Sequence, residues 1–301
     1  MSSRRERLAA MDVGSNTILL TVAEHDGDGG LVVLEEAEDQ PRLGAGLAAL
    51  GRLSEDAIAR ALRSLTRMRD ICRRLAVDRL DAIATAAVRQ ATNGDAFVRR
   101  ARALDIPLRI ISPETEAALS YRSAAYRFSG IERTLVADIG GGSLELIGAV
   151  EGTVSLAESL PLGAVRLTEL PGSLSKLRMQ IRQTLNPKLQ GSDWSDSRFI
   201  GSGGTFATLA SMALASRGSS SRGVHGTMIQ ADEVEQLLES LATMSPEQRR
   251  QTAGLKPERA DIIVAGLAVV AELLKATDVA EVTVSGYGLR DGLLLEMAGM
   301  V

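Results

Sequence analysis

The chain opens with short apolar runs broken by glycine, aspartate and asparagine. Residues 7–14, 17–24 and 30–37 predict three strands joined by tight turns, a β-meander. The period then changes. LSEDAIARALRSLTRMRDICRRLAV, residues 53–77, predicts an amphipathic helix with Ser54 as its N-cap and Glu55 and Asp56 set against its positive end. A strand at 81–85, a helix at 94–104 and a strand at 107–112 follow, and then SPETEAALSYRSAAYR, residues 112–127. This last segment has Ser112 at the cap and Pro113 in the first helical position. The plan then starts again. Strands are predicted at 134–139, 143–150 and 153–160, and helices at about 173–187, 203–216, 231–243 and 256–275, with strands at 198–201 and 282–286 between them. The pattern thus predicts two α/β halves, a first domain over 1–122 and a second over 123–301, the last helix being able to pack back on the first. SRGSSSRG, residues 216–223, is expected to be a mobile surface loop.

One device occurs in both halves. In MDVGSNTILL, residues 11–20, and ADIGGGSLEL, residues 137–146, a strand ends at a carboxylate, turns through small residues and resumes as a strand. Gly14, Ser15, Asn16 and Thr17 in the first turn, and Gly140, Gly141, Gly142 and Ser143 in the second, can direct several N–H groups and hydroxyls towards phosphate oxygens. Asp12 and Asp138 would repel such an anion. A Mg²⁺ ion between carboxylate and phosphate removes that conflict. Other phosphate-binding signatures do not fit, because there is no GxxxxGK[ST] and GSGGTF, residues 201–206, lacks the third glycine of GxGxxG. This third glycine loop stands at a strand-to-helix junction, and with the two hairpins it implies one interdomain cleft.

Composition narrows the reading further. A chain of 301 residues with 45% hydrophobic and 24% charged residues suits two soluble domains. The longest nearly apolar stretch, residues 262–274, is too short for a membrane span, and MSSRRERLAAMDVG lacks the apolar centre of a secretory signal, so a cytoplasmic protein is expected. A formal charge of −4 gives no general attraction to DNA or other nucleic acid. Cys72 is the only cysteine and lies on an apolar helical stripe, which predicts a packed core residue, and two distant histidines argue against a histidine zinc site.

The chain resembles the exopolyphosphatase and guanosine pentaphosphate phosphohydrolase family. The resemblance is carried by the two hairpins, PRLGAGL (41–47), ATAAVRQATNG (84–94), ISPETEAALSY (111–121), LPLGAVRLTE (160–169), GSGGTFATLA (201–210), VHG (224–226), GLKPERADIIVAG (254–266) and SGYGLRDGLL (285–294). It implies two ribonuclease-H-like domains of the actin-like and sugar-kinase-like superfamily. The implied activity is Mg²⁺-dependent hydrolysis of the terminal phosphoanhydride of inorganic polyphosphate. Removal of the terminal phosphate of guanosine pentaphosphate is the alternative within the same chemistry, and a phosphotransferase or a non-catalytic polyphosphate or alarmone sensor are alternatives of other classes. By resemblance, Glu116 is the catalytic base and Arg89 a partner of the phosphate. Asp138, Glu145 and Asp12 face the metal, both hairpins clasp phosphate, and Gly203, Gly204 and Thr205 take another phosphate or a nucleoside end. Glu258, Arg259, Asp261, Arg290 and Asp291 are read as structural. Longer relatives continue into a helical C-terminal domain that helps hold extended polyphosphate, so short polyphosphate or a pentaphosphate nucleotide is the expected substrate. Relatives often dimerise, so a homodimer is one implied assembly, while the residues themselves leave oligomeric state open.

Overall fold

A computed structural model describes residues 5–26, 30–128, 132–191, 193–219 and 223–301. Residues 1–4 at the N-terminus, and 220–222 of the serine-rich loop, lie outside the described residues. The chain divides into two compact units, Met1–Tyr126 with Leu289–Val301, and Arg127–Gly288. The helix that starts at Pro113 continues unbroken through residue 122 to Arg127.

In the first unit, β1 (Arg7–Val13), β2 (Ile18–His25) and β3 (Leu31–Asp39) form the meander. The short α1 (Leu47–Leu50) and the long α2 (Glu55–Arg74) follow, then β4 (Arg79–Ala84), α3 (Ala86–Gln90), α4 (Gly94–Arg102), β5 (Leu108–Ile110) and α5 (Pro113–Arg127). The sheet order is β3-β2-β1-β4-β5, with β1, β4 and β5 parallel and the meander antiparallel. Residues of β1 alternate between two cores. Ala9, Met11 and Val13 pack with α2 and α4 residues such as Leu65, Met68 and Phe97, and Leu8 and Ala10 pack on the other face with Ile83 and Leu119. Covering both faces explains why β1 and β2 read as nearly continuous apolar runs. Ser54 Oγ accepts from the Ala57 amide, the cap that the sequence predicts for α2. Cys72 is buried, and burial pushes its thiol up to about 11.

The second unit repeats the plan. Its meander is β6 (Arg133–Ile139), β7 (Leu144–Val150) and β8 (Thr153–Leu160), followed by α6 (Ala164–Thr168), α7 (Leu174–Leu189), β9 (Arg198–Ser202) and α8 (Gly203–Ser216). Then come β10 (Met228–Gln230), α9 (Ala231–Thr243), α10 (Pro246–Arg249), α11 (Ile263–Thr277) and β11 (Glu281–Val284). The order β10-β11-β9-β6-β7-β8 places β9 and β11 parallel to β6, as β4 and β5 follow β1. The helix predicted over 256–275 is in two parts, a 3₁₀ turn at Pro257–Arg259 and α11 from Ile263. Arg249 Nη1 donates to the Ala260 carbonyl at 3.2 Å, which draws that carbonyl out of helical pairing at the break. Finally α12 (Leu289–Met297) joins the first unit, adding Leu289, Leu293 and Leu294 to the core around Leu8 and Ile83.

Candidate active site

Both hairpins close in the same way. The Gly14 amide donates to the Thr17 carbonyl at 3.0 Å, and the Gly140 amide to the Ser143 carbonyl at 3.0 Å. In each unit the chain leaving the meander then returns to hold the loop by its carbonyls. The Ser15 and Asn16 carbonyls accept from the Gly44 amide at 2.7 Å and the Arg42 amide at 3.0 Å. In the second unit the Gly140 carbonyl accepts from the Ala164 amide at 3.0 Å, and Gly141 accepts from Val165 at 3.0 Å and Arg166 at 3.1 Å. The Arg166 side chain adds Nε to the Gly142 carbonyl at 3.1 Å. These returning segments are the PRLGAGL and LPLGAVR motifs, and their glycines are needed for space. A Cβ on Gly44 would lie 2.9 Å from Ser15 Cβ, and one on Gly163 would lie 2.3 Å from the Gly142 carbonyl carbon. The contacts from the returning segments tie each loop back by its carbonyls, which is the arrangement an amide-lined anion cradle requires.

In the first unit Ser15 and Asn16 are buried and Asp12 half-buried. Asn16 Nδ2 donates to Thr17 Oγ1 at 3.3 Å, while Asn16 Oδ1 is buried without a partner, the kind of group a ligand completes. Glu116 stands in the first turn of α5, its amide bonded to the Ser112 carbonyl, and is only 5% exposed. Its Oε2 accepts from Arg89 Nη1 at 2.9 Å, and the same nitrogen donates to the Ile111 carbonyl at 2.9 Å. Arg89 therefore aims Glu116, a link that the sequence reading, with both set against phosphate, did not contain. Glu114, on the same turn, is exposed, and the Ser112 hydroxyl holds its carboxyl below the ordinary range. It serves the helix end.

The second unit gathers more polar groups. Register partners Ser202, Asp138, Glu145 and Ser159 form one row across β9, β6, β7 and β8. Glu145 is 3% exposed and accepts from Ser159 Oγ at 2.9 Å. Ser202 Oγ is buried without a partner. In the first unit the corresponding row runs Ile83, Asp12, Leu19 and Glu38, so Leu19 stands where the second unit has Glu145. Two further glycine segments reach Asp138. Gly203 has φ +86°, and its Cβ position lies 2.6 Å from Asp138 Oδ1, while that of Gly288 lies 3.5 Å from Oδ2. Gly204 lies under the guanidinium of Arg259, whose nitrogens sit 2.1 and 2.2 Å from its Cβ position. The sequence reading kept Arg259 as structural because charges before an apolar helix suggest an ion pair. The structure sets its guanidinium against the glycine loop. Arg290 meets the structural expectation in unit one, with Nη2 2.7 Å from Glu36 Oε1.

Among the described residues, no three His, Cys, Asp or Glu side chains converge as a ready metal site. Asp138 and Glu145, with the hydroxyls of Ser159 and Ser202 beside them, are hard oxygen donors of the kind that suits a magnesium ion retaining most of its waters. No helix among the described residues is long and apolar enough to cross a membrane.

Two sheets of one plan, each opening on a glycine hairpin beside a carboxylate, define a two-domain actin-like protein. Residues 21–300 match the model of the Ppx/GppA phosphatase family. The chain is 30% identical to exopolyphosphatase 2 of Mycobacterium tuberculosis over 97% of this chain and 99% of that one. A solved exopolyphosphatase from Cytophaga hutchinsonii superposes with a TM-score of 0.90 at 26% identity, covering 98% of this chain and 99% of its own. The Aquifex aeolicus member of the Ppx/GppA family superposes with a TM-score of 0.80 at 27% identity, covering 98% of each chain. This chain belongs to the Ppx/GppA phosphatase family.

Proposed function

We propose that this chain hydrolyses the terminal phosphoanhydride of inorganic polyphosphate and releases orthophosphate. The observation that carries the reading is the Gly140–Ser143 loop, held back by its carbonyls beside the Asp138–Glu145 pair, an anion cradle that needs a cation. The similarity to exopolyphosphatases supports the choice of substrate. In the reaction a water oxygen attacks the terminal phosphorus, the bridging P–O bond breaks with its electron pair passing to the shortened chain, and Glu116 accepts the proton of the water. Arg89 holds that carboxylate in one orientation. The two hairpins, with Gly203, Gly204 and Thr205 at the start of α8, bind and align the phosphates, and Arg259 adds a guanidinium suited to phosphoryl oxygens. Asp138 and Glu145 would hold Mg²⁺, which when bound neutralises charge on the transferring phosphoryl. Asp12 plays a lesser part, since Leu19 leaves its row without a second adjacent carboxylate.

Guanosine pentaphosphate is the second reading, because the same cradle would grip its terminal phosphate. Phosphate release by the purified chain from tripolyphosphate, long polyphosphate and guanosine pentaphosphate, with and without Mg²⁺, tests both. Transfer of labelled phosphate from ATP to an acceptor, with no release to water, would replace hydrolysis by phosphotransfer.

A further inference from the structure

Three serine hydroxyls among the described residues are buried without a hydrogen-bond partner, those of Ser123, Ser197 and Ser202. Such a group costs stability unless something outside the chain completes it. Ser123 lies in α5 and Ser197 ahead of β9, whereas Ser202 is the β9 register partner of Asp138. Side chains of register partners project from the same face of a sheet. Gly288 shows how near these two are, since its Cβ position lies 3.5 Å from Asp138 Oδ2 and 4.0 Å from Ser202 Cβ. At the other end of the row, Ser159 Oγ donates to Glu145 Oε1 at 2.9 Å. The adjacent carboxylates Asp138 and Glu145 therefore have a serine on each side. In the first unit the matching row has Ile83 and Glu38 at these flanks and Leu19 within, so the hydroxyls go with the carboxylate pair and not with the shared fold.

We propose that Ser202 and Ser159 are positioning residues for a hydrated divalent cation at Asp138 and Glu145. Because no third acidic side chain, histidine or cysteine among the described residues joins the pair, most of the coordination is left to water and phosphate oxygens. Those waters need acceptors. A hydroxyl accepts from a water while donating to a neighbouring oxygen, which a methyl in its place cannot do. Ser202 Oγ, buried at the end of the row, is the acceptor that such a water would complete. Ser159 acts through Glu145, because its donated bond fixes that carboxylate in one rotamer before any cation arrives. Neither serine touches the reacting atoms. The inference rests on the carboxylate-held cation of the proposed hydrolysis and adds to it the groups that order its surroundings.

The test is titration of the full chain with Mn²⁺, a paramagnetic stand-in for Mg²⁺, the free ion being read by electron paramagnetic resonance. Ser202→Ala, Ser159→Ala and Ser159→Thr are compared with the unaltered chain and with Asp138→Asn. Each alanine variant should weaken Mn²⁺ binding about 10-fold or more, and Ser159→Thr, which keeps the hydroxyl, should stay within about 2-fold of the original. Melting in EDTA separates this role from a structural one. Ser202→Ala removes a hydroxyl that nothing in the chain satisfies, so without cation the variant should melt no lower than the original. A lower melting temperature with unchanged Mn²⁺ affinity would overturn the part given to Ser202. Equal affinity in the original and both alanine variants, with binding lost in Asp138→Asn, would overturn the inference and leave the carboxylate site standing. Binding undiminished in Asp138→Asn, or none by the unaltered chain, would refute the cation site itself and the role of both serines with it.

Discussion

Glu116 and Arg89 form the smallest unit on which the chemistry turns. Glu116→Gln keeps the shape and removes the proton acceptor, so kcat should fall about 10²- to 10⁴-fold while equilibrium binding of tripolyphosphate is retained. Full turnover by this variant would show that another group accepts the proton. Arg89→Met separates aiming from gripping. Glu116 is nearly buried and loses a charged donor, so stability should drop by about 2 kcal/mol in urea denaturation. If Arg89 acts only by aiming the base, kcat falls and KM barely moves, whereas a large KM change would mean that it grips phosphate. The sequence named both residues, because each sits in a distinctive motif, but it did not pair them. They are 27 positions apart, and only the packing of α3 beside the start of α5 makes the 2.9 Å contact.

At the scale of elements, the duplicated hairpin was legible because a carboxylate at a strand end followed by small residues is a local pattern. What holds it was not. PRLGAGL and LPLGAVR gave no periodicity, yet each returns to bind the carbonyls of its hairpin, and each places a glycine where a side chain cannot go. The two glycines should differ in severity. Gly163→Ala forces a methyl into the backbone of Gly141 and Gly142 and should cost about 3 kcal/mol, with a marked rise in KM for polyphosphate. Gly44→Ala meets chiefly the Ser15 side chain and should cost about 1 kcal/mol. Thermal denaturation and phosphate-release kinetics on both variants check the order, and equal effects would contradict it. The short helices α1, α3, α6 and α10 were missed since about one turn carries too little periodicity to register. The place of Arg259 was not legible for another reason. Its charge neighbours in sequence suggest a salt link, and only the fold brings Gly204 beneath it.

For the whole molecule, repetition was the strongest signal, and the structure returns it as two sheets of matching order whose sites are unequal. The second unit holds Asp138 and Glu145 side by side, and the first has Leu19 in the matching position. The second unit also contains a buried charge, Glu272 at 1% exposure in apolar α11, bonded to Arg178 and 3.3 Å from Arg182. Arg178→Met should therefore destabilise the protein by about 3 kcal/mol, since it strands a buried carboxylate, and Arg182→Met by about 1 kcal/mol, as chemical denaturation would reveal. Unequal halves also predict unequal losses of activity, with Asp138→Asn more damaging than Asp12→Asn. The most direct measurement of the central claim is orthophosphate release from tripolyphosphate by the unaltered chain and by Glu116→Gln, each with Mg²⁺ and with EDTA. The account predicts rapid release only by the unaltered chain with Mg²⁺, and release slower by about 10²-fold or more from Glu116→Gln; undiminished release in EDTA or by Glu116→Gln would contradict it.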